Sequence, residues 1–333
     1  MTPRRRVLVI GAGSIGARHV RCFQQTGRAE VVLCEVNPLV REQVATQYAL
    51  AESFADLESA VAAGAEAAVI CTPAQMHVPM AARLADAGVH LLIEKPLSTS
   101  TDGVDALVAR CRDRKLVAGV AYVYRVHPVL AAMRQAIRDG RFGRPVQVVA
   151  AGGQHFPFYR PAYREIYYND RATGGGAVQD ALTHVVNAVE WIVGPVTRLA
   201  ADADHQVLEG VSVEDTVHVI ARHGDVQASY SLNQHQAPNE SVITVVCERG
   251  TARIEMHRHL WKSQTRPDAD WHVEDQRQIE RDDLFVAQAN AFLDTVDGRC
   301  APACTLEDAI QTLRGNLAIL KAAETHTWQT LTS

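Results

Sequence analysis

From the start of the chain to residue 122, short runs of consecutive apolar residues alternate with stretches whose apolar positions recur every three to four residues. Val7-Leu8-Val9-Ile10 precedes a helical pattern at 15–25, and Val31-Val32-Leu33-Cys34 precedes another at 39–48. The runs at 67–71, 89–93 and 116–120 continue the series. Unbroken apolar runs mark strands buried on both faces, and helical stretches between them mark crossovers, so this part predicts a doubly wound parallel sheet. After Val146 the candidate strands, at 146–153, 215–222, 226–234, 242–248 and 252–256, include pairs joined by turns such as His223-Gly224-Asp225 and Arg249-Gly250. Joins that short require antiparallel pairing. Helical periodicity returns at 177–192, 284–297 and 305–324. The fold class is therefore α/β, with a parallel unit at 1–122 and an α+β unit at 123–333 whose mainly antiparallel sheet is backed by helices. Strand 215–222 sets Thr216, His218 and Ile220 against Val217, Val219 and Ala221. Neither set is strongly polar, so each face expects a cover, either a helix or a second copy of the chain.

Composition narrows the function classes. A length of 333 residues suits two domains, and 47% hydrophobic with 21% charged residues is globular. The net charge of −5, with both signs interspersed, gives no nucleic-acid footprint. No apolar run reaches the length of a membrane span, and VLVI after the basic start is too short for a signal peptide; a soluble, cytoplasmic protein is expected. The seven cysteines form no Cys-x-x-Cys pair and read as reduced core thiols. Cys300 and Cys304 flank Pro302 without a nearby histidine at finger spacing, and His257 and His259 find no third ligand, so no metal is expected.

Gly11, Gly13 and Gly16, with Ser14 and Ile15 between them, follow the first strand and open the first helix. There glycine permits a tight turn and close backbone approach to a pyrophosphate, while the helix end offers free N–H groups and a positive dipole. Glu35 closes the second strand about 20 residues on, where a carboxylate receives the ribose hydroxyls of NAD and repels the 2′-phosphate of NADP. Arg41 on the next helix keeps NADP as the alternative. Thr72-Pro73 and Glu94-Lys95-Pro96 end two further strands, and ligands of open parallel sheets lie beyond the carboxyl ends of strands. Lys95, stopped there by Pro96, can hydrogen-bond a reacting oxygen and stabilise charge developing on it. In GGGAVQDALTHVVNAVEW, Asp180 and His184 are four apart and share a helical face, an arrangement that orients a histidine and tunes it for proton transfer. Asn187 and Trp191 continue near that face.

The segments GAGSIGARH (11–19), CTPAQMH (71–77), AGVHLLIEKPLS (87–98), YVYRVHP (122–128) and GGGAVQDALTH (174–184) together resemble the glucose-fructose oxidoreductase, inositol dehydrogenase and MocA family. The resemblance implies a Rossmann domain followed by a domain whose open sheet makes dimer or tetramer contacts. It implies that Lys95 and His184 flank the reacting carbon, with His184 the proton acceptor in alcohol oxidation and Asp180 its partner. It also implies that Pro96, Thr72, Pro73 and His77 lie by the cofactor and that Tyr122 and Arg125 fall near the domain junction, towards substrate; Glu94, by its strand-end position, is expected to face the same crevice. Leu182 and Asn187 depart from the common pattern, where relatives have glycine and often an acid.

The stretch HFPFYRPAYREIYYNDR (155–171) is dense in aromatic and cationic groups. Read as helical, it puts Tyr163 and Tyr167 on one face, with Arg160 and Arg164 able to bind a carboxylate or phosphate. The expected substrate is polyhydroxylated: a sugar, sugar acid, nucleotide sugar or cyclitol. Reversible NAD-dependent oxidation of a secondary alcohol is the leading function. A hydrolase or lyase with transient redox and no net NADH, and a non-catalytic nucleotide sensor, are the alternatives.

Overall fold

The computed structural model describes residues 4–331; residues 1–3 and 332–333 lie outside the described residues. The chain divides into two compact units, 1–126 with 280–310, and 127–279 with 311–333. This division differs from the single cut at 122/123 chiefly in placing 280–310 with the first unit. Segment 280–310 returns to the first unit because its helix has an apolar face that packs there.

In the first unit the strands are β1 (Arg5–Ile10), β2 (Ala29–Cys34), β3 (Ser53–Phe54), β4 (Ala67–Ile70), β5 (His90–Ile93) and β6 (Ala118–Val120). They form one parallel sheet in the order β3-β2-β1-β4-β5-β6, which reverses direction at β1 and β4. The crossovers contain α1 (Ser14–Gln25), α2 (Pro38–Gln47), α3 (Leu57–Ala62), α4 (His77–Asp86) and α5 (Val104–Asp113). All four residues of β4 and the last three of β5 are buried, as unbroken apolar runs require.

The second unit contains α6 (Pro128–Arg138), the short α7 (Phe156–Tyr159) and α8 (Thr183–Val193). Its strands are β7 (Pro145–Gly153), β8 (Arg198–Asp204), β9 (Thr216–His223), β10 (Val226–Asn233), β11 (Glu240–Cys247), β12 (Gly250–Glu255), β13 (Leu260–Gln264) and β14 (His272–Gln276). The first unit regains the chain in α9 (Arg281–Val296); α10 (Leu306–Thr325) and the edge strand β15 (Gln329–Thr330) follow. The nine-stranded sheet runs β14-β13-β12-β11-β7-β10-β9-β8-β15, antiparallel except for the β7/β10 pair. Val217, Val219 and Ala221 of β9 are buried, whereas Ile220 is 54% and Val149 41% exposed, so one face is covered and the other is open.

Within the first unit, α9 packs on α1. Phe292 meets Phe23 edge-on at 6.3 Å, and Asp282 takes Arg18 at 3.1 Å and Arg21 at 2.6 Å. None of the seven cysteines forms a disulfide among the described residues; Cys300 is exposed rather than a core thiol.

Candidate active site

The glycine loop folds tightly against the end of β4. Gly11 has φ +89°, and a Cβ there would lie 2.9 Å from the Cys71 carbonyl oxygen; a Cβ on Gly16 would lie 1.9 Å from the Gly11 oxygen. At Gly13 a Cβ meets nothing within 4 Å, and the start of α1 has no side-chain cap. Open space beside uncapped amides fits an incoming pyrophosphate. Ser14 is exposed and Ile15 half-buried on the first turn. Glu35 reaches back to this loop: its Oε2 accepts from the Ala12 amide at 2.8 Å and its Oε1 from the Asn37 amide at 2.8 Å. Each oxygen keeps a lone pair for a ribose hydroxyl. Arg41 donates to the Glu35 carbonyl at 2.7 Å, which turns its guanidinium to the strand end.

At the ends of β4 and β5, Pro73 is exposed and Lys95 half-buried, and the Lys95–Pro96 bond is cis. His77 lies beneath these strand ends. It is 1% exposed, and its ring nitrogens lie 2.9 Å from the Pro96 carbonyl and 2.7 Å from the Thr72 carbonyl. It ties the two strand-end loops together from behind. Burial pushes its pKa down, against the pull of those carbonyls.

Glu94 is buried at the end of β5. Its Oε1 lies 2.6 Å from Nε2 of His19, a fully buried residue of α1, and its Oε2 accepts from the Lys95 amide at 3.1 Å. Burial alone would raise the Glu94 pKa. The His19 hydrogen bond, with the charges of His19 and Lys95, holds it below the usual carboxylate value. Sequence reading missed His19, although it closes the motif GAGSIGARH; the signal is a histidine on the apolar stripe that buries Cys22 and Phe23.

Tyr122 is 1% exposed, and Arg125, also buried, pairs with Asp308 at 3.5 Å.

In the second unit the glycine run opens a π-helical turn, Val178–Leu182, that leads into α8. The expected uninterrupted helix is corrected at this turn, a feature frequent at functional sites. Asp180 lies mid-turn and His184 in the first turn of α8. The start of the π turn is held by Glu214, which sequence reading also missed. This fully buried carboxylate accepts from the Val178 amide at 3.1 Å and from Arg171 Nε at 2.8 Å. Gly176 has φ +87°, and a Cβ there would come within 2.3 Å of the Glu214 carboxylate. Neighbouring Asp215 collects the amides of Gln206, Val207 and Leu208 at 2.7–3.0 Å. The available signal was an acid pair set between Val213 and Thr216 at the head of an apolar strand.

The aromatic segment is not one helix but a chain of turns, and this changes which residues converge. Tyr163 is 1% exposed and donates to the Glu209 carbonyl at 2.8 Å; Arg164 donates to the same carbonyl at 2.7 Å. Tyr167 and Arg160 instead reach Asp180 Oδ1, at 2.5 Å and 3.5 Å. Asn187 is fully buried and donates to Thr312 at 2.9 Å, so its amide belongs to the interior. His259 occupies a left-handed turn with Nδ1 2.9 Å from His127 Nε2.

A parallel sheet with an open glycine loop and a strand-end lysine, in one chain with a buried aspartate one turn from a histidine, defines a dinucleotide-dependent oxidoreductase. Residues 5–122 match the profile described as Oxidoreductase family, NAD-binding Rossmann fold, and residues 130–253 match the GFO/IDH/MocA C-terminal domain; the chain belongs to this family. It is 25% identical over 324 residues to 1,5-anhydro-D-fructose reductase of Ensifer adhaerens, covering 95% of this chain and 96% of the relative. Inositol 2-dehydrogenase of Rhizobium meliloti is 28% identical over 234 residues, 69% of this chain and 68% of the relative. The fold is shared with a levoglucosan dehydrogenase solved with NADH and levoglucosan, at a TM-score of 0.90 and 19% identity, over 99% of this chain and 100% of the other.

Proposed function

We propose that this protein is an NAD-dependent dehydrogenase that oxidises a secondary alcohol of a sugar, sugar acid, nucleotide sugar or cyclitol, reversibly, to the ketone. The observation that carries this reading is the co-occurrence, in one chain of this family, of the open glycine loop, a strand-end lysine and an anchored aspartate one turn before a histidine. Glu35, through its remaining lone pairs, holds the adenosine ribose and disfavours a 2′-phosphate. Bound there, NAD supplies the hydride acceptor at nicotinamide C4. Lys95 donates a hydrogen bond to the reacting oxygen and stabilises its charge; His184 takes the hydroxyl proton, with Asp180 steadying the imidazolium that results. The relatives act on an anhydro sugar and a cyclitol, which supports a polyhydroxylated substrate.

A homodimer or homotetramer built on the open face of the nine-stranded sheet is supported by exposed Ile220 and Val149. The undisulfided cysteines suit a reducing cytoplasm.

The test is a screen of sugars, sugar acids, nucleotide sugars and cyclitols by NADH absorbance, with NADP in parallel and Lys95→Ala and His184→Ala as controls. One class of alcohol should give NADH with the wild type, at least about a hundred-fold faster than with either variant. Faster turnover with NADP overturns the role of Glu35, product without net NADH points to transient redox, and unimpaired variants remove the catalytic assignments.

A further inference from the structure

Two side chains that no part of the reaction above employs converge on the turn that carries Asp180. The aspartate is 3% exposed, and a carboxylate so deeply buried must be compensated by charge and hydrogen bonds. Tyr167 donates to its Oδ1 at 2.5 Å, and Arg160 Nη1 stands 3.5 Å from the same oxygen. The guanidinium is braced on its other side by the ring of Phe156, 5.2 Å from its centroid. Tyr168 lies next along the same turn, Glu214 with Arg171 holds the start of the π turn, and His184 follows one turn later. Arg160, Tyr167 and Tyr168 are titratable groups that feel the charge of the carboxylate.

We propose that Tyr167 is a positioning residue for the proton transfer: its hydroxyl, backed by the Arg160 cation, fixes Asp180 as a stationary anion from which His184 is served. The inference rests on the assignment of Asp180 and His184 made above. A carboxylate anchored through one oxygen keeps its orientation when the neighbouring imidazole gains a proton, so little reorganisation accompanies the step. Burial, then the charge of Asp180, pushes the Tyr167 phenol well above its ordinary value, so it stays a donor across the working pH range. Arg160 is held more firmly protonated, first by Asp180. Neither group gains or loses a proton during the reaction; both act through Asp180.

The experiment compares Tyr167→Phe, Arg160→Lys and Arg160→Met with the wild type, using the alcohol found by the screen. Tyr167→Phe should lower kcat about ten-fold or more, the loss of one hydrogen bond to a charged group, while KM stays within about two-fold. Because the ionised carboxylate loses a donor, the acid limb of the kcat/KM profile should move up by about one pH unit. Arg160→Lys, which keeps the charge, should retain most of kcat, whereas Arg160→Met should shift the limb in the same direction as Tyr167→Phe. An unmoved limb with unchanged kcat overturns the proposal, as does a raised KM at unchanged kcat, which would make Tyr167 a substrate contact. Should Tyr167→Phe not fold, the two Arg160 variants carry the test alone, and equal profiles for them overturn it. His184→Ala separates the levels: if it is inactive while Tyr167→Phe is normal, only the positioning role fails. If His184→Ala is fully active, the assignment of the proton acceptor fails.

Discussion

At the scale of single residues, the buried pair of Glu94 and His19 explains why an acid precedes Lys95. One carboxylate oxygen faces the imidazole and the other accepts the amide of the lysine, so the pair links α1, the helix of the glycine loop, to the end of β5. Removing one partner leaves a buried group unsatisfied, whereas removing both removes the demand. Glu94→Gln and His19→Leu should each destabilise the chain by about 2 kcal/mol in urea titrations, and the double variant should cost less than their sum by about 1 kcal/mol or more. Strict additivity would show that the contact contributes nothing. The glycines and the strand-end position of Lys95 were legible because each answers a local demand: backbone space, or a strand that proline must stop. Tyr163 and Tyr167 share no helical face, because the segment is a chain of turns and Tyr163, with Arg164, meets Glu209 instead. Which of two arginines four apart meets an aspartate depends on that backbone path, and composition carries no record of it.

At the scale of elements, strands with burial on alternate sides wrote themselves plainly, as in β9, where Val217, Val219 and Ala221 are buried. The edge strand β14, HVEDQ, has no fully buried residue and left no alternation to read. The π turn was invisible for another reason. It is set by Glu214 holding the Val178 amide from 36 residues away, and a separation of four still reads as one face. The open face of the nine-stranded sheet carries a prediction of its own. Ile220, Val149 and Ala151 line a shallow apolar depression beside His218 and Ser229. If a second copy covers it, Ile220→Glu should convert a dimer or tetramer into a smaller species by light scattering, without loss of helix or strand signal in circular dichroism. A wild type that is monomeric at tens of micromolar, or a variant with unchanged mass, removes this interface.

At the scale of the whole molecule, the two-part organisation was legible, because the change from unbroken to alternating apolar runs near Val146 reflects two kinds of sheet. The return of 280–310 to the first unit was not. An apolar helical stripe says that α9 buries a face but does not name the partner, which is α1. Stability against acid is also a property of the whole chain, and its sign follows from histidines buried in the second unit. His127 Nδ1 accepts from the Leu130 amide at 3.3 Å, capping α6, while its Nε2 faces His259. Burial, then the charges of His259 and Arg277, lowers its pKa from 6.5 to about 4. His223, with its ring nitrogens 2.6 Å from the Gly194 carbonyl and 2.6 Å from the Tyr230 hydroxyl, is lowered by burial to about 4 as well. Between these values and 6.5 the unfolded chain binds more protons than the folded one, so stability is complete above pH 6.5 and declines as the pH falls towards 4. Each group contributes on the order of 3 kcal/mol to that decline. Burial lowers His77 too, which acts in the same direction. Unfolding free energies from urea titrations at pH 7.5, 6 and 5 should therefore fall steadily. His127→Asn keeps an acceptor for the Leu130 amide but cannot titrate, so its curve should be flatter over the same range. A wild-type stability that is level from pH 7.5 to 5, or a variant curve parallel to it, would mean that His127 folds with its proton already in place.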